Sequence, residues 1–152
     1  MIGLIFSGNA FGQKAIPASW TDIVGRWSVV PVPQELQSSN VGKSLWPASC
    51  QFISFYDDGY LVHQQSEFGE CRNQIPQERT DGFDTVTWSL ENGFMKIVRS
   101  DYKMTELWKV DRVNTNTHLD TLNLNEGDML MQLIDTKARK SMWLRVLRRE
   151  GS

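Results

Sequence analysis

Glu106 stands between Met104 and Trp108, with Tyr102 and Val110 on the same alternate positions. A strand sends residues i and i+2 to one face, so this carboxylate is expected on the face that Met104 and Trp108 turn inward. A carboxylate there must be paired, solvated or protonated. Its chemistry would be that of a polar anchor for a ligand head group. A β-bulge that slips the phase, or a wet mouth, would accommodate it equally. Tyr56, Tyr60 and Tyr102 offer hydroxyls to a ligand or to the rim of a fold. Met95, Met104, Met129, Met131 and Met142 are spread over several apolar runs. Thioethers adapt to varied ligand shapes and fill cores just as well.

Catalysis is not expected. His63 lies near Asp57 and Asp58, but the chain has no Gly-x-Ser-x-Gly elbow and no His-Glu-x-x-His pair. His63 and His118 are far apart, and no Cys or His spacing resembles a metal site, so no metal and no cofactor is expected. Cys50 and Cys71 are the only cysteines. Residues 1–12 resemble the tail of a secretory signal: a short apolar run, then Ala10-x-Gly12. The alternative for this segment is an N-terminal arm laid on the domain. An even cysteine pair in an exported chain suggests one disulfide, Cys50 to Cys71. The expected localisation is therefore periplasmic or secreted.

The chain has 152 residues, which suits one domain, expected over residues 13–150. It is 40% hydrophobic with 6 Trp and 7 Phe, enough for a real core. The formal net charge of −2 gives no reason to expect nucleic acid or an anionic membrane as partner. No apolar run is long enough to span a bilayer. The one basic cluster, Arg145, Arg148 and Arg149, reads as a solvated strand end.

The elements that would position these groups are strands. Pro17 to Val24 reads as one helical turn with Ser19 as N-cap. Gly25-x-Trp27 then opens a strand that Pro31 and Pro33 end. A polar connection over 34–49 follows, with Trp46 its one large apolar residue, of a length often given to lids and binding loops. Cys50 to Tyr56 and Tyr60 to Gln64 flank Asp57-Asp58-Gly59, a hairpin signal. An irregular stretch from Ser66 to Asp84 comes next. Thr85 to Leu90 alternates cleanly, with Val86, Trp88 and Leu90 inward, and Asn92-Gly93 turns it into Phe94 to Arg99. Tyr102 to Val110, Thr117 to Leu124, Met129 to Ile134 and Met142 to Arg148 complete eight or nine strands. The pattern is all-β, an up-and-down barrel or a sandwich.

Gly25-x-Trp27, preceded by a helical turn and followed by an antiparallel meander, resembles the lipocalins, especially the short bacterial lipocalin-like domains. The Phe52 to Gly59 hairpin and the position of Trp88 are similar to those domains. The resemblance covers residues from about 19 to 149, and the chain departs from the larger family in having no helix after its last long turn. It implies a single antiparallel barrel of about eight strands with an internal site for a small apolar ligand. Val86, Trp88, Met104, Glu106, Trp108 and Met131 are the expected lining. It also implies an arginine near the end of the barrel that packs across Trp27. Arg148 is the candidate, on the face of Met142, Leu144 and Val146, while Arg145 on the other parity is expected to tolerate Lys or Gln. The second functional class is an exported protein-binding module, an enzyme inhibitor or immunity-type protein, acting through its two long connections.

Overall fold

The computed structural model describes residues 14–33, 36–37, 50–66, 86–100, 103–119 and 122–150. In chain order the elements are β1 (Ala15–Pro17), α1 (Trp20–Ile23), β2 (Gly25–Val30), β3 (Cys50–Phe55), β4 (Leu61–Ser66), β5 (Val86–Glu91), β6 (Phe94–Arg99) and β7 (Met104–Val113). Then come β8 (Thr117–Leu119), β9 (Leu122–Leu124), β10 (Met129–Asp135) and β11 (Lys140–Arg149). Eight of the strands form one antiparallel up-and-down sheet in the order β4-β3-β2-β11-β10-β7-β6-β5. It curls into a nearly closed barrel whose two ends meet at the antiparallel bridge Tyr60↔Thr87. Closure joins β2 to β11, the first long strand to the last, with Trp27 opposite Arg149. Pairing of that kind removes two sheet edges at once.

Local chemistry explains the turns. Ser19 caps α1: its hydroxyl accepts from the Asp22 amide while the Asp22 carboxylate accepts from the Ser19 amide. Asn92 and Gly93 both take positive φ, 53° and 80°, the pair of left-handed residues that a two-residue hairpin matching the sheet twist requires. Pro31 and Pro33 end β2 as expected. Beyond it the Gln37 amide carries on the ladder, donating to the Leu144 carbonyl and accepting from the Leu144 amide at 2.8 Å each.

Two apolar clusters result, one on each side of the sheet. The inner one gathers Ile23, Trp27, Ile53, Phe55, Trp88 and Trp108 with further residues of every barrel strand. The outer one joins Leu36, Val113, Leu122, Leu124, Leu130, Leu144 and Val146. β9, which pairs with β8, supplies Leu122 and Leu124 to this second layer. They form a hairpin of two short strands where the sequence predicts a single strand from Thr117 to Leu124. β1, absent from the sequence reading, pairs with β7 through Ala15↔Val113 to Pro17↔Asp111, in line with β6 beyond Phe94.

The outer cluster corrects the phase predicted for the last strand. Leu144 and Val146 face outward into that cluster, while Trp143 and Leu147 face the barrel interior. Both faces of β11 are apolar, so alternation cannot reveal which one is inside. Arg145 and Arg149 are therefore inward and Arg148 is outward. The C-terminal arginines are not a solvated cluster: Arg145 is 3% exposed.

Candidate functional site

One end of the barrel is closed by α1. Trp20 stacks on Trp88 with ring centroids 3.9 Å apart and donates from Nε1 to Asp57 Oδ1 at 2.8 Å. Trp88 donates to the Tyr56 carbonyl at 3.0 Å and meets Phe55 edge-on. Trp27 donates to the Ile23 carbonyl at 2.7 Å. Arg149, not Arg148, lies across the Trp27 indole at 4.3 Å and donates to the carbonyls of Val24 and Asp22 at the end of the helical turn. Arg148 instead grips Asp128 with two donors, Nε at 3.1 Å and Nη2 at 2.8 Å, and reaches the Asn123 carbonyl, so it ties β11 to the outer layer. Gly25 is needed beside Arg149. Its φ is +134°, and a Cβ there would sit 2.3 Å from Arg149 Nη1.

Above this floor the interior is packed against itself: Met95, Ile97, Trp108, Val110 and Met131 are all 0% exposed. Toward the opposite end the inward positions turn polar. Glu106 follows Trp108 on β7, Arg99 follows Ile97 on β6, Arg145 stands opposite Met131 on β11, and His63 lies opposite Ile53 on β4. Arg99 and Glu106 are 5% and 4% exposed and form an ion pair through Arg99 Nε and Glu106 Oε2. Glu106 Oε1 accepts from Trp108 Nε1 at 2.8 Å. Arg99 Nη2 meets His63 Nδ1 at 3.3 Å, and His63 Nε2 meets Gln51 Oε1 at 3.0 Å. A guanidinium only donates, so Nδ1 is the acceptor and the ring proton sits on Nε2, toward Gln51. The Arg145 guanidinium lies 5.0 Å from the Trp108 ring centroid.

The electrostatics of this layer follow from its composition. Burial, then Arg145 and Arg99, hold the His63 imidazolium well below the usual histidine range, so His63 is neutral. Burial lowers Arg145 to about 9, against the pull of Glu106 and with the push of Arg99. The unfolded chain takes up a proton at an ordinary histidine near pH 6.5, and the folded barrel does not. The contribution of His63 to stability is thus complete above that pH and is lost as pH falls below it. Thermal melts from pH 7.5 to 5 should show a falling midpoint, and His63→Gln should flatten that fall. An unchanged slope in His63→Gln would remove His63 as the cause.

The expected lining separates into three groups. Glu106, Trp108 and Met131 come together in and just under the polar layer. Trp88 belongs to the closed end, in the stack with Trp20. Val86 stands opposite Arg99, and Met104, predicted inward, is 40% exposed at the first position of β7, at the end of the barrel away from α1. Both oxygens of Glu106 accept from the chain itself, so its role is to hold Arg99 and Trp108 in place. The sequence reading missed Arg99 and Arg145. Arg99 carried the signal that singled out Glu106, a charge at the inward parity of Met95 and Ile97.

Cys50 is buried at the start of β3. Its expected partner Cys71 lies outside the described residues, as do residues 1–12, Trp46 and Tyr102. Among the described residues no group of three His, Cys, Asp or Glu side chains is placed to hold a metal, and no helix is long and apolar enough to cross a membrane. Comparison with protein-family models, curated proteins and solved structures finds no match to this chain.

Proposed function

We propose that this protein is an exported, non-catalytic, lipocalin-like barrel that binds a small apolar ligand in the half of the barrel away from α1. The observation that carries this reading is the buried layer of Arg99, Glu106, Arg145 and His63 on inward-facing positions. Buried ion pairs are weak sources of stability, and apolar residues of like volume often stabilise a core as well or better. Three charges inside a barrel otherwise packed with apolar side chains therefore favour a binding role. The site is placed at this layer, toward the end of the barrel at which β2 and β4 finish. Trp108 and Trp143 are positioned to report on it. Titration of the purified protein with fatty acids and retinoid-like probes should change Trp emission, and native mass spectrometry should find a retained small molecule. A protein that is ligand-free by mass and silent to every probe would sink the proposal.

One observation favours a second reading. Among the described residues the side chains above α1 are packed to 0% exposure, which suits a protein-binding module that uses its two long connections. A stable complex with a protein partner, together with no small-molecule binding, would select it.

Export carries a separate expectation. Thiol titration of unfolded, unreduced protein should find no free thiol, with Cys50 and Cys71 joined. A loop of about twenty residues closed in this way stabilises by roughly 3 kcal/mol in the chain-entropy account. Two titratable thiols would remove the disulfide and weaken the case for export.

A further inference from the structure

Asn92 is the one asparagine of the chain that a glycine follows. Glu91↔Phe94 is the last pair of the β5–β6 ladder, so Asn92 and Gly93 make up the whole turn. Asn92 is exposed and holds a φ of 53°, which its short polar side chain tolerates. Among the described residues no hydrogen bond engages the Asn92 side chain or the Gly93 N–H. Two other asparagines differ in this. Asn116 Oδ1 accepts from the Glu126 amide at 2.7 Å, and Asn123 Oδ1 is bound to His118 Nδ1. They precede Thr117 and Leu124, whose side chains crowd the adjoining amide nitrogen, whereas Gly93 has none.

We propose that Asn92 is a site of spontaneous covalent modification, which passes through a succinimide to aspartate and isoaspartate in the folded protein. The Gly93 nitrogen attacks Asn92 Cγ. A Cγ–N bond forms, the Cγ–Nδ2 bond breaks, and Nδ2 leaves as ammonia with the Gly93 proton. Water then opens the ring. Addition at Cγ gives aspartate; addition at the Asn92 carbonyl carbon gives isoaspartate, in which the main chain runs through Cγ. One water enters and one ammonia leaves, with no change of oxidation state.

The product acts on the closed end of the barrel. Isoaspartate adds one methylene to the main chain of a turn that two residues of positive φ must close. The Gly93 carbonyl accepts from the Val110 amide at 2.9 Å, and the Val110 carbonyl accepts from the Ala18 amide at 3.1 Å, between β1 and α1. A Cβ on Gly93 would lie 3.3 Å from Pro17 Cβ, so the turn abuts β1. Isoaspartate therefore loosens β1 from β7, whereas aspartate tolerates the same φ and leaves it in place.

Intact protein held at pH 8 and 37 °C tests this by peptide mass spectrometry, with isoaspartate counted by isoaspartyl methyltransferase labelling. The first gain of about 1 Da should fall on the peptide that holds Asn92, several-fold ahead of every other asparagine. It should slow at pH 6, because the attacking nitrogen must lose its proton. Asn92→Gly keeps a turn of positive φ and should abolish the gain. Hydrogen exchange over residues 15–17 should quicken in the isoaspartate form and stay unchanged in Asn92→Asp. If the first gain maps to another asparagine, or if Asn92 reacts in urea and stays intact in the folded protein, the proposal falls. Isoaspartate at 92 with unchanged exchange over residues 15–17 would overturn the effect on β1.

Discussion

Trp27→Ala should cost the barrel about 3–5 kcal/mol in urea unfolding, the usual range for emptying a buried aromatic site. Few domains of this size hold more than about 5–15 kcal/mol in total, so the variant should be marginal at best. Trp27 is the meeting point of three elements. Its ring carries Arg149 at 4.3 Å, its Nε1 holds the Ile23 carbonyl, and it stands opposite Arg149 in the β2–β11 ladder. Arg149 in turn binds the Val24 and Asp22 carbonyls at 2.9 and 2.6 Å, which end the helical turn. Helix ends leave carbonyls without partners, and a cation there satisfies them and the dipole together. Arg149→Met should therefore cost about 3 kcal/mol, the low end of what two charge-assisted hydrogen bonds contribute. Gly25→Ala should act through the same contact, since its Cβ displaces Arg149 Nη1 and its φ of +134° is strained for alanine. Arg148→Lys should cost less than about 1 kcal/mol, because the pair with Asp128 is open to water on the arginine side. If Arg148→Lys proves the sensitive change and Arg149→Met the silent one, Arg149 does not close the barrel.

That contrast shows how far the sequence can be read. The helical turn was visible in Ser19 and Asp22, the hairpins in Asp57-Asp58-Gly59 and Asn92-Gly93, and the closure of first strand on last in the meander itself. These are local signals, carried by capping and turn chemistry. The arginine over Trp27 was anticipated as a contact and misassigned by one residue. The error arose because β11 is covered twice, by the barrel core and by the layer of Leu36, Leu122 and Leu124. A strand buried on both faces loses the period of two that sets its phase. The polar layer was legible only in part for a different reason. Glu106 announces itself between two apolar neighbours, but His63, Arg99 and Arg145 meet it through registers of β4, β6 and β11 that no local pattern encodes.

Glu106→Leu is the second large effect, again about 3–5 kcal/mol, and here the cost comes from what is left behind. Removing one member of a buried pair strands the other charge in a dry interior. Glu106 holds Arg99 through Oε2 and Trp108 through Oε1, and Arg145 stands nearby. Without the carboxylate the layer would contain two guanidiniums and an indole donor stripped of its acceptor. Glu106→Gln should be milder, since its amide oxygen still accepts from Trp108 while the charge is lost. The double variant Arg99→Met, Glu106→Leu should recover part of the loss, because Arg99 no longer remains as a buried charge while the Trp108 indole still lacks its acceptor. Urea unfolding of the wild type, Arg99→Met, Glu106→Leu and the double variant measures this as a coupling energy. A double variant as unstable as Glu106→Leu alone would mean that Arg99 and Glu106 do not act as a pair.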